Sequence, residues 1–402
     1  MKNTIENMHL KSFFFLAALC VNIHTMAQQP TEWVGSWAAA AEFTGKGDMP
    51  KEPLTNRSLR EVVRVSIAGD CFKLRLSNEF SKQPVEIKSV FIADALDSCD
   101  IVKKSARYLS FGGKKAVTIA PGECAVSDVC NYPLKALQLL AVTINYGATP
   151  ENATSHRGSR TTSYIISGEA KPKTSFANAE KVDHWYSIAS IDVPRKGQEC
   201  IAIIGNSITD GRGSTTNKQN RWPDQMATAL ATQGKKDYAM LNLGIGGNCV
   251  VRGGLSEPAL KRFDRDILAQ NGVTSVVIFE GINDIGGSKG RSEQMAQQLI
   301  EAFQEMIGKA HARGLKVYLA TITPYGKSFY DDSFFKEAAR QTVNQWIRTN
   351  KEADGFIDFD EAMRDPERPS QLRENLQEDW LHPNAKGYEV MGEYAARFFL
   401  GL

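Results

Sequence analysis

The hydrophobic pattern of this chain changes at Pro194. Between residues 33 and 191, short apolar or alternating runs are separated by turn clusters such as Ala68-Gly69-Asp70. Beyond Pro194, apolar runs alternate with segments of helical periodicity. Strands joined by tight turns form antiparallel sheets, whereas strands joined by helices form parallel ones. The chain is therefore predicted to contain an all-β region followed by an α/β region.

The all-β region has short strand candidates at residues 62–67, 71–76, 85–92, 116–119, 137–144 and 164–166. This rhythm of short strands and turns is typical of a β-sandwich. The pattern leaves the role of the region open, because a scaffold, a lid and a carbohydrate-binding face all agree with it.

The α/β region has strand candidates at residues 201–204, 239–243, 275–279, 316–321 and 355–359. Helices are predicted at 294–310, 333–349 and 384–399. Asn384 is the expected N-cap of the last helix, and Gly314 the expected C-cap of the first. That first helix has one apolar face, formed by Met295, Leu299, Phe303, Met306 and Ala310. The alternation predicts a mostly parallel sheet covered by helices on both faces.

Length and charge narrow the class of protein. A chain of 402 residues is expected to form two domains. Its 42% hydrophobic and 23% charged content is that of a globular protein. The formal net charge is +2, and no cluster of Lys or Arg stands out. We therefore expect neither nucleic acid nor an anionic membrane surface as a partner.

The first 27 residues have the pattern of a secretory signal peptide. Lys2 and Lys11 precede the apolar run 13–23, and small residues lead up to Ala27. The run is too short to span a membrane. We expect cleavage after Ala27, which lowers the formal charge to +1, and export to the periplasm or beyond. The predicted parts are a signal peptide (1–27), a β-sandwich-like accessory domain (28–195) and an α/β domain (196–402).

The cysteines leave two questions open. Cys20 would suit a lipoprotein, but Leu19 stands where a small residue is required. Six cysteines remain after cleavage, and export permits disulfides among Cys71, Cys99, Cys124, Cys130, Cys200 and Cys249. Cys124 and Cys130 are close enough in sequence to bridge, but the pairing stays open. The chain has no C-x-x-C pair, so no structural zinc site is expected, and we expect no metal or cofactor.

A serine stands at the end of the first strand of the α/β region. The apolar residues 201–204 run into the polar turn Gly205-Asn206-Ser207. Open α/β sheets bind their ligands at the carboxyl ends of their strands. Ser207 is therefore a candidate nucleophile, provided that the chain supplies a base and an oxyanion site. The alternative is that Ser207 only caps the following helix.

The predicted mature chain has four histidines. We interpret His311 as a favourable charge near a helix C-terminus, and we expect His156 and His184 at the polar surface. His382 precedes a proline, which places it in an extended loop before the last helix. Asp379, three residues earlier, can reach the imidazole and orient it as a base. The alternative is a loop Asp–His pair that only holds the start of the helix.

Two further polar segments follow predicted strands. Residues 243–248 are rich in glycine, which lets backbone N–H groups approach a ligand. A nucleotide site is excluded there, because Cys249 stands where the third glycine of G-x-G-x-x-G is needed. In the segment 280–284, the carboxamide of Asn283 is a candidate oxyanion donor. Asn283-Asp284 is equally consistent with an ordinary turn.

Taken together, these segments resemble the SGNH/GDSL hydrolase superfamily over about residues 198–400. The resemblance is carried by four ordered blocks, which are Gly205-Asn206-Ser207-Ile208-Thr209, residues 244–248, Gly281-Ile282-Asn283-Asp284 and Asp379-x-x-His382. It implies a flavodoxin-like three-layer fold, in agreement with the alternation of strands and helices.

The resemblance also implies roles at the matching positions. Ser207 would be the nucleophile, and His382 the general base and then the acid, oriented by Asp379. The backbone N–H groups of Ser207 and Gly247 and the side chain of Asn283 would form the oxyanion hole.

Asn206 departs from the family pattern, which usually has Asp before the serine. The amide keeps the size of the side chain and its hydrogen-bonding capacity but loses the charge. We expect activity to survive because the nucleophile is unchanged, while the geometry of the loop stays open.

The whole chain resembles, more loosely, secreted bacterial members that include a xylanase-associated esterase. That similarity rests on residues 33–37, 74–78 and 280–286. The expected function is a secreted, metal-independent serine esterase that removes small acyl groups, such as O-acetyl, from carbohydrate. The alternatives are a lipase, lysophospholipase or thioesterase on the same site, or a non-catalytic glycan-binding protein. The oligomeric state stays open.

Overall fold

The computed structural model describes residues 32–96, 99–330 and 333–402. The predicted signal peptide (1–27) lies outside the described residues.

The described part begins with short strands that belong to the predicted all-β region. They are β1 (Trp33–Ala38), β2 (Glu42–Phe43), β3 (Arg57–Arg64), β4 (Lys73–Ser77), β5 (Val85–Asp94), β6 (Arg107–Tyr108), β7 (Val117–Ile119), β8 (Cys124–Val126), β9 (Leu139–Tyr146), β10 (Thr154–His156), β11 (Ser163–Ser167), β12 (Glu180–Val182), β13 (Trp185–Tyr186) and β14 (Ile188–Pro194).

Strands and helices then alternate. The strands are β15 (Glu199–Gly205), β16 (Tyr238–Gly244), β17 (Ser275–Phe279), β18 (Lys316–Ala320) and β19 (Gly355–Ile357). The α-helices are α1 (Ser207–Asp210), α2 (Trp222–Thr232), α3 (Ala259–Phe263), α4 (Ile282–Gly286), α5 (Ser292–His311), α6 (Phe334–Thr349), α7 (Phe359–Met363) and α8 (Ala385–Leu400).

The second region is built on one parallel five-stranded sheet in the order β16-β15-β17-β18-β19. Counted from β15, this is the 2-1-3-4-5 order of flavodoxin-like folds. The centre of β15 is Ile201 to Ile204, all buried because helices cover both faces of such a sheet. The predicted α/β fold is confirmed. The order places the carboxyl ends of β15, β16 and β17 side by side.

The first region consists of antiparallel sheets, as predicted. In the described part their orders are β1-β14-β4-β8, β13-β10-β2 and β12-β11-β3-β9-β5-β6, with β7 paired to β5. Long neighbouring strands such as β3 and β9 form the centre of the largest sheet. Their inward-facing apolar side chains supply the core on this side of the molecule.

Several predicted boundaries differ from the structure; the strand predicted at 62–67, for example, is β3 at Arg57–Arg64. Two of the differences have local reasons. The strand predicted at 355–359 ends at Ile357, because the side chain of Asp358 accepts from the Glu361 N–H and caps α7. The C-cap of α5 is Ala312 rather than the predicted Gly314, which lies in the left-handed region two residues later. Helix α2 and strand β14 were not predicted from the sequence.

One apolar core continues across residue 195, the predicted boundary between the two domains. Strand β1 lies against β16, where a Cβ on Gly35 would come within 2.9 Å of the Leu241 side chain. The Met240 N–H of β16 donates to the Ser66 hydroxyl at 3.0 Å. Residues Glu32–Leu402 form one compact unit. The domain boundaries at 28–195 and 196–402 stay a prediction, but the two regions share their packing.

Helix α8, which follows His382, crosses α2 at close range. A Cβ added to Gly392 would lie 2.4 Å from the Cβ of Gln225 and 2.7 Å from the backbone N of Met226. Backbone atoms cannot move aside as a flexible side chain can. The contact between these helices therefore requires glycine at this position, and it fixes the start of α8 next to His382.

We predict that Gly392→Ala lowers the free energy of unfolding by about 1–3 kcal/mol, because the added methyl group separates α2 and α8. The matched control is Gly308→Ala in α5, where nothing lies within 4 Å of the new Cβ. This control should stabilise the protein by about 0.5–1 kcal/mol through helix propensity. Urea unfolding of both variants measures the difference, and equal effects would contradict the close crossing.

Candidate active site

The turn after β15 presents Ser207. Helix α1 begins at this residue, and its N-cap is Asn206, whose side chain accepts from the Ile208 N–H at 3.0 Å. A Cβ on Gly205 would lie 2.1 Å from the Thr209 hydroxyl oxygen, so the turn requires glycine. The capping task considered for Ser207 is thus performed by Asn206. The Ser207 hydroxyl is left available for another partner.

That partner is His382. The Ser207 Oγ lies 2.8 Å from His382 Nε2, and His382 Nδ1 lies 2.8 Å from Asp379 Oδ2. With Nδ1 facing a carboxylate, the ring carries its proton there, and Nε2 is the acceptor for the serine hydroxyl. Three residues singled out from the sequence therefore form one hydrogen-bonded chain. Their catalytic roles stay a prediction.

The loop before α8 holds the Asp–His pair rigidly. Asp379 Oδ1 also accepts from the backbone N–H groups of Leu381 at 3.1 Å and His382 at 2.8 Å. Asn384 caps α8 by accepting from the Gly387 N–H, as expected from the sequence. The backbone is therefore held in place both before and after His382, and its imidazole ring is fixed by Asp379.

The surroundings of His382 favour its neutral form. Burial lowers the pKa of the imidazole, Asp379 opposes this, and the positive charges of Arg212 and Arg160 lower it further. Burial acts to raise the pKa of Asp379, but the hydrogen bonds from His382 outweigh it and the net pKa is lowered. A neutral imidazole beside an ionised carboxylate is the state that a general base needs.

The predicted oxyanion donors line the same cleft as Ser207. In the described part, the backbone N–H groups of Ser207 and Gly247 have no acceptor. Asn283 is held in place because its Nδ2 donates to the Asn248 carbonyl at 2.7 Å and its Oδ1 accepts from the Tyr330 hydroxyl at 2.6 Å. One amide hydrogen of Asn283 remains for a ligand.

A buried arginine that sequence reasoning missed connects these loops. The guanidinium of Arg262 donates to the carbonyls of Gly205 at 3.2 Å and Leu243 at 2.8 Å, and to Asn248 Oδ1 at 2.8 and 2.9 Å. It also pairs with Asp266 at 3.1 Å. Arg262 thereby ties the ends of β15 and β16 to the glycine-rich loop. A single arginine on a short helix gives no recognisable signal in the sequence.

Asp284 holds the other side of the glycine-rich loop. Its carboxylate accepts from the backbone N–H groups of Val250 at 2.9 Å and Val251 at 3.2 Å. Burial raises the pKa of this carboxyl to about 6 despite those hydrogen bonds. The Asn283-Asp284 pair is therefore more than a surface turn, because one residue faces the cleft and the other anchors the neighbouring loop.

Asn206 has a second contact that bears on its departure from the family pattern. Its Nδ2 donates to Glu280 Oε2 at 3.2 Å, and the nearest cation to that buried carboxyl is Arg262 at 4.0 Å. Burial raises the pKa of Glu280 to about 8. An amide next to this carboxyl supplies a donor where an aspartate would supply a second negative charge.

The all-β region forms one wall of the site. Asp210, at the end of α1, accepts from His156 Nε2 at 2.9 Å and from Arg160 Nη2 at 2.9 Å. A Cβ on Gly158 would lie 1.8 Å from Asp210 Oδ2, so glycine is needed for this approach. Helix α1, which begins at Ser207, is thus bound directly to the β10–β11 segment.

Two histidine expectations are corrected by this arrangement. His156, expected at the polar surface, is only 3% exposed, because Asp210 and the Ala40 carbonyl occupy both of its ring nitrogens. His184 is half-buried rather than on the open surface, and its Nδ1 lies 2.7 Å from the Arg157 carbonyl oxygen. The region that holds both side chains packs against the α/β sheet instead of facing solvent.

The resulting cleft has a volume of about 580 Å³. Its floor includes Ser207, Gly247, Asn283 and His382, and its walls come from both regions of the chain.

All six cysteines in the described part, among them Cys124 and Cys130, are free thiols. Within the same residues, no acidic, histidine or cysteine cluster has metal-site geometry, and no helix is long and apolar enough to cross a bilayer.

Several solved structures are similar to part of this chain. A GDSL-like lipase from Bacteroides thetaiotaomicron is 21% identical, with 52% of this chain and 91% of that chain covered and a TM-score of 0.39. A lipase/acylhydrolase from Enterococcus faecalis is 23% identical, with 51% of this chain and 96% of that chain covered and a TM-score of 0.41. A carbohydrate acetylesterase family member from Sinorhizobium meliloti is 16% identical, with 51% of this chain and 100% of that chain covered and a TM-score of 0.40. No curated protein gives a significant match.

The family comparison gives a direct assignment. Residues 203–390 match the model of the GDSL-like Lipase/Acylhydrolase family. The matched segment begins within β15 and ends within α8, so it contains every one of the predicted site residues. Residues 203–390 therefore form a GDSL-like lipase/acylhydrolase domain, and the protein that carries it is a carboxylic ester hydrolase.

Proposed function

We propose that this protein is an exported serine esterase that removes short acyl groups, with O-acetyl the first candidate, from carbohydrate. The observation that carries the proposal is the hydrogen-bonded chain from Ser207 through His382 to Asp379 at the floor of the cleft. Export is inferred from the signal-peptide pattern of residues 1–27, and N-terminal sequencing of the periplasmic or secreted protein would test it.

In the proposed mechanism, Ser207 Oγ attacks the ester carbonyl while its proton passes to His382 Nε2. The oxyanion that forms is stabilised by the N–H groups of Ser207 and Gly247 and by the free amide hydrogen of Asn283. His382 then protonates the leaving alcohol, and an acyl-enzyme remains. Water then attacks the acyl-enzyme ester while His382 Nε2 takes its proton. The bond between the acyl carbon and Ser207 Oγ breaks, His382 returns the proton to Ser207 Oγ, and the carboxylic acid is released.

The walls of the cleft favour a polar substrate. Arg157, Arg160 and His184 reach it from the all-β region, and Arg212 reaches it from the loop after α1. Such side chains are suited to hydroxyl and other oxygen groups of a sugar. A non-catalytic glycan-binding protein is disfavoured, because a site that has lost its activity is not expected to keep this arrangement of hydrogen-bond donors and acceptors.

A lipase, lysophospholipase or thioesterase is the second candidate. Leu255 and Phe329 line the rim of the cleft and are 71% and 72% exposed, which gives an acyl chain two apolar contacts. Aryl esters of increasing chain length separate the candidates. The proposal requires the highest kcat/KM at acetate, whereas an optimum at long chains would support a lipid substrate.

We predict that Ser207→Ala removes hydrolysis of p-nitrophenyl acetate to the background rate and leaves the fold intact, because the nucleophilic oxygen is lost. Ser175→Ala, at an exposed position of the all-β region, is the control and should keep full activity. Circular dichroism and urea unfolding check the fold. Full activity of Ser207→Ala would refute the assignment of the nucleophile.

The second kinetic prediction concerns Asp379. Asp379→Asn should lower kcat on the order of 10⁴-fold with little change in KM, because the amide no longer holds the His382 tautomer. In the wild type, kcat/KM should rise with pH with a midpoint below 6.5, since the pKa of His382 is lowered and its neutral form is the base. Losing Asp379, which raises that pKa, should move the midpoint lower still. Glu374→Gln, at an exposed position, should change neither quantity.

The third prediction concerns Asn206 and Glu280. The pKa of Glu280 is about 8 in the folded protein and lies above its unfolded value. Its stabilising contribution is therefore present at low pH and is lost as the pH rises through about 8. Asn206→Asp should deepen this loss by about 1–3 kcal/mol, because a donor becomes a second buried acid.

Urea unfolding at pH 5 and pH 8 measures that effect. The double variant Asn206→Asp, Glu280→Gln is the matched control, because it restores one donor and one acceptor with the roles reversed. It should unfold with a weaker pH dependence than the single variant. Identical pH dependence of the wild type and Asn206→Asp would contradict the contact.

A further inference from the structure

The charged side chains of the cleft lie in two layers. The carboxylates of Glu42 and Asp210 are at the back, with side chains only 1% exposed. The guanidinium groups of Arg157 and Arg160 lie in front of them, with side chains 22% and 30% exposed, and Arg212 is exposed. Asp48, with its side chain 31% exposed, is the one acid of the described lining at the front, so a ligand that enters the cleft meets more positive than negative charges.

The buried carboxylates are already neutralised by their neighbours. Glu42 pairs with Arg157 at 2.6 Å, and Asp210 pairs with Arg160 at 2.9 Å. His156 lies between them, 3.6 Å from Glu42 and 2.9 Å from Asp210. Neither carboxylate is left to compensate a further cation at the mouth of the cleft.

Arg212 is that further cation. Its backbone N–H donates to the Ser207 carbonyl at 2.9 Å, so it follows the nucleophile by little more than one turn. In the described part, its guanidinium forms no ion pair. Asp48, the remaining acid of the lining, is 4.0 Å from Arg157. The cleft thus carries an uncompensated positive charge close to the reacting atoms.

The location of Arg212 relative to His382 determines which part of the substrate this arginine faces. The charges of Arg212 and Arg160 both act on the His382 imidazole. His382 protonates the leaving alcohol, so the alcohol part of the ester lies on the His382 side of Ser207. The acyl carbonyl oxygen lies on the opposite side, at Gly247 and Asn283. Arg212 therefore faces the sugar and not the acyl group.

We propose that the sugar esterified at this site is an acidic one, whose carboxylate is bound by Arg212 with support from Arg160. This inference rests on the proposed function and narrows its substrate class. A guanidinium binds a carboxylate through two parallel hydrogen bonds. On the His382 side of the cleft, one uncompensated cation matches one carboxylate, and the described lining contains arginine but no lysine. The remaining arginine of that lining, Arg252, lies on the oxyanion side, where its Nη2 donates to the Asn283 carbonyl oxygen at 2.9 Å. A guanidinium also binds the phosphate of a lipid headgroup, so the experiment below includes a phospholipid substrate.

The test compares two substrates that differ only in charge, a mono-O-acetylated methyl glucuronoside with a free carboxylate and the corresponding neutral uronamide. Acetate release by the wild type should give a kcat/KM roughly 10- to 100-fold higher for the acid. The preference should shrink in about 1 M NaCl, where the Debye length is about 3 Å. Arg212→Gln should bring the ratio close to one. Arg313→Gln, an exposed arginine at the end of α5, should keep it.

p-Nitrophenyl acetate and a monoacyl glycerophospholipid are assayed in parallel. Equal rates for acid and amide, with p-nitrophenyl acetate hydrolysed, overturn the acidic-sugar inference alone. A ratio that Arg212→Gln leaves unchanged also overturns it. A higher kcat/KM for the phospholipid than for the acetylated acid assigns the arginines to phosphate and overturns it as well. No hydrolysis of any ester overturns the proposed function itself.

Discussion

The buried guanidinium of Arg262 is the interaction on which the geometry of the site depends. Its hydrogen bonds reach the Gly205 and Leu243 carbonyls and the Asn248 side chain, so two strand ends and one loop are held by one planar group. A charge in such a place is stable only while its hydrogen bonds are satisfied. The backbone positions of the turn before Ser207 and of Gly247 are therefore set together.

The all-β region contributes to the same geometry. Asp210 joins helix α1 to His156 and Arg160, which lie 54 and 50 positions earlier in the chain. Because β1 also packs on β16, the region supports the sheet as well as the cleft wall. A scaffold role and a substrate-binding role, which the strand pattern left open, are thus compatible in one structure.

Much of the fold was readable from the sequence, because burial imposes a period on the side chains. The face of α5 that carries Leu299, Phe303 and Met306 is buried as predicted, and the parallel strands appear near their expected positions. Helix α2 escaped prediction although Trp222 is completely buried. Its partners, Phe279 and Phe359, come from distant elements, and no local period reports such contacts.

The sequence by itself determined the fold class, the strand-end positions of the polar segments and the short-range pair Asp379 and His382, since these follow from local spacing and hydrophobic period. Only the tertiary structure decided that His156 is buried, that Asn206 faces Glu280 and that Arg262 joins two strand ends to one loop. His156 and Asp210 are 54 positions apart, Asn206 and Glu280 are 74 apart, and Arg262 and Gly205 are 57 apart. Ser207 and His382 are 175 positions apart. The resemblance pointed to the pairing of Ser207 with His382, but only the packed sheet brings the two side chains within hydrogen-bonding distance.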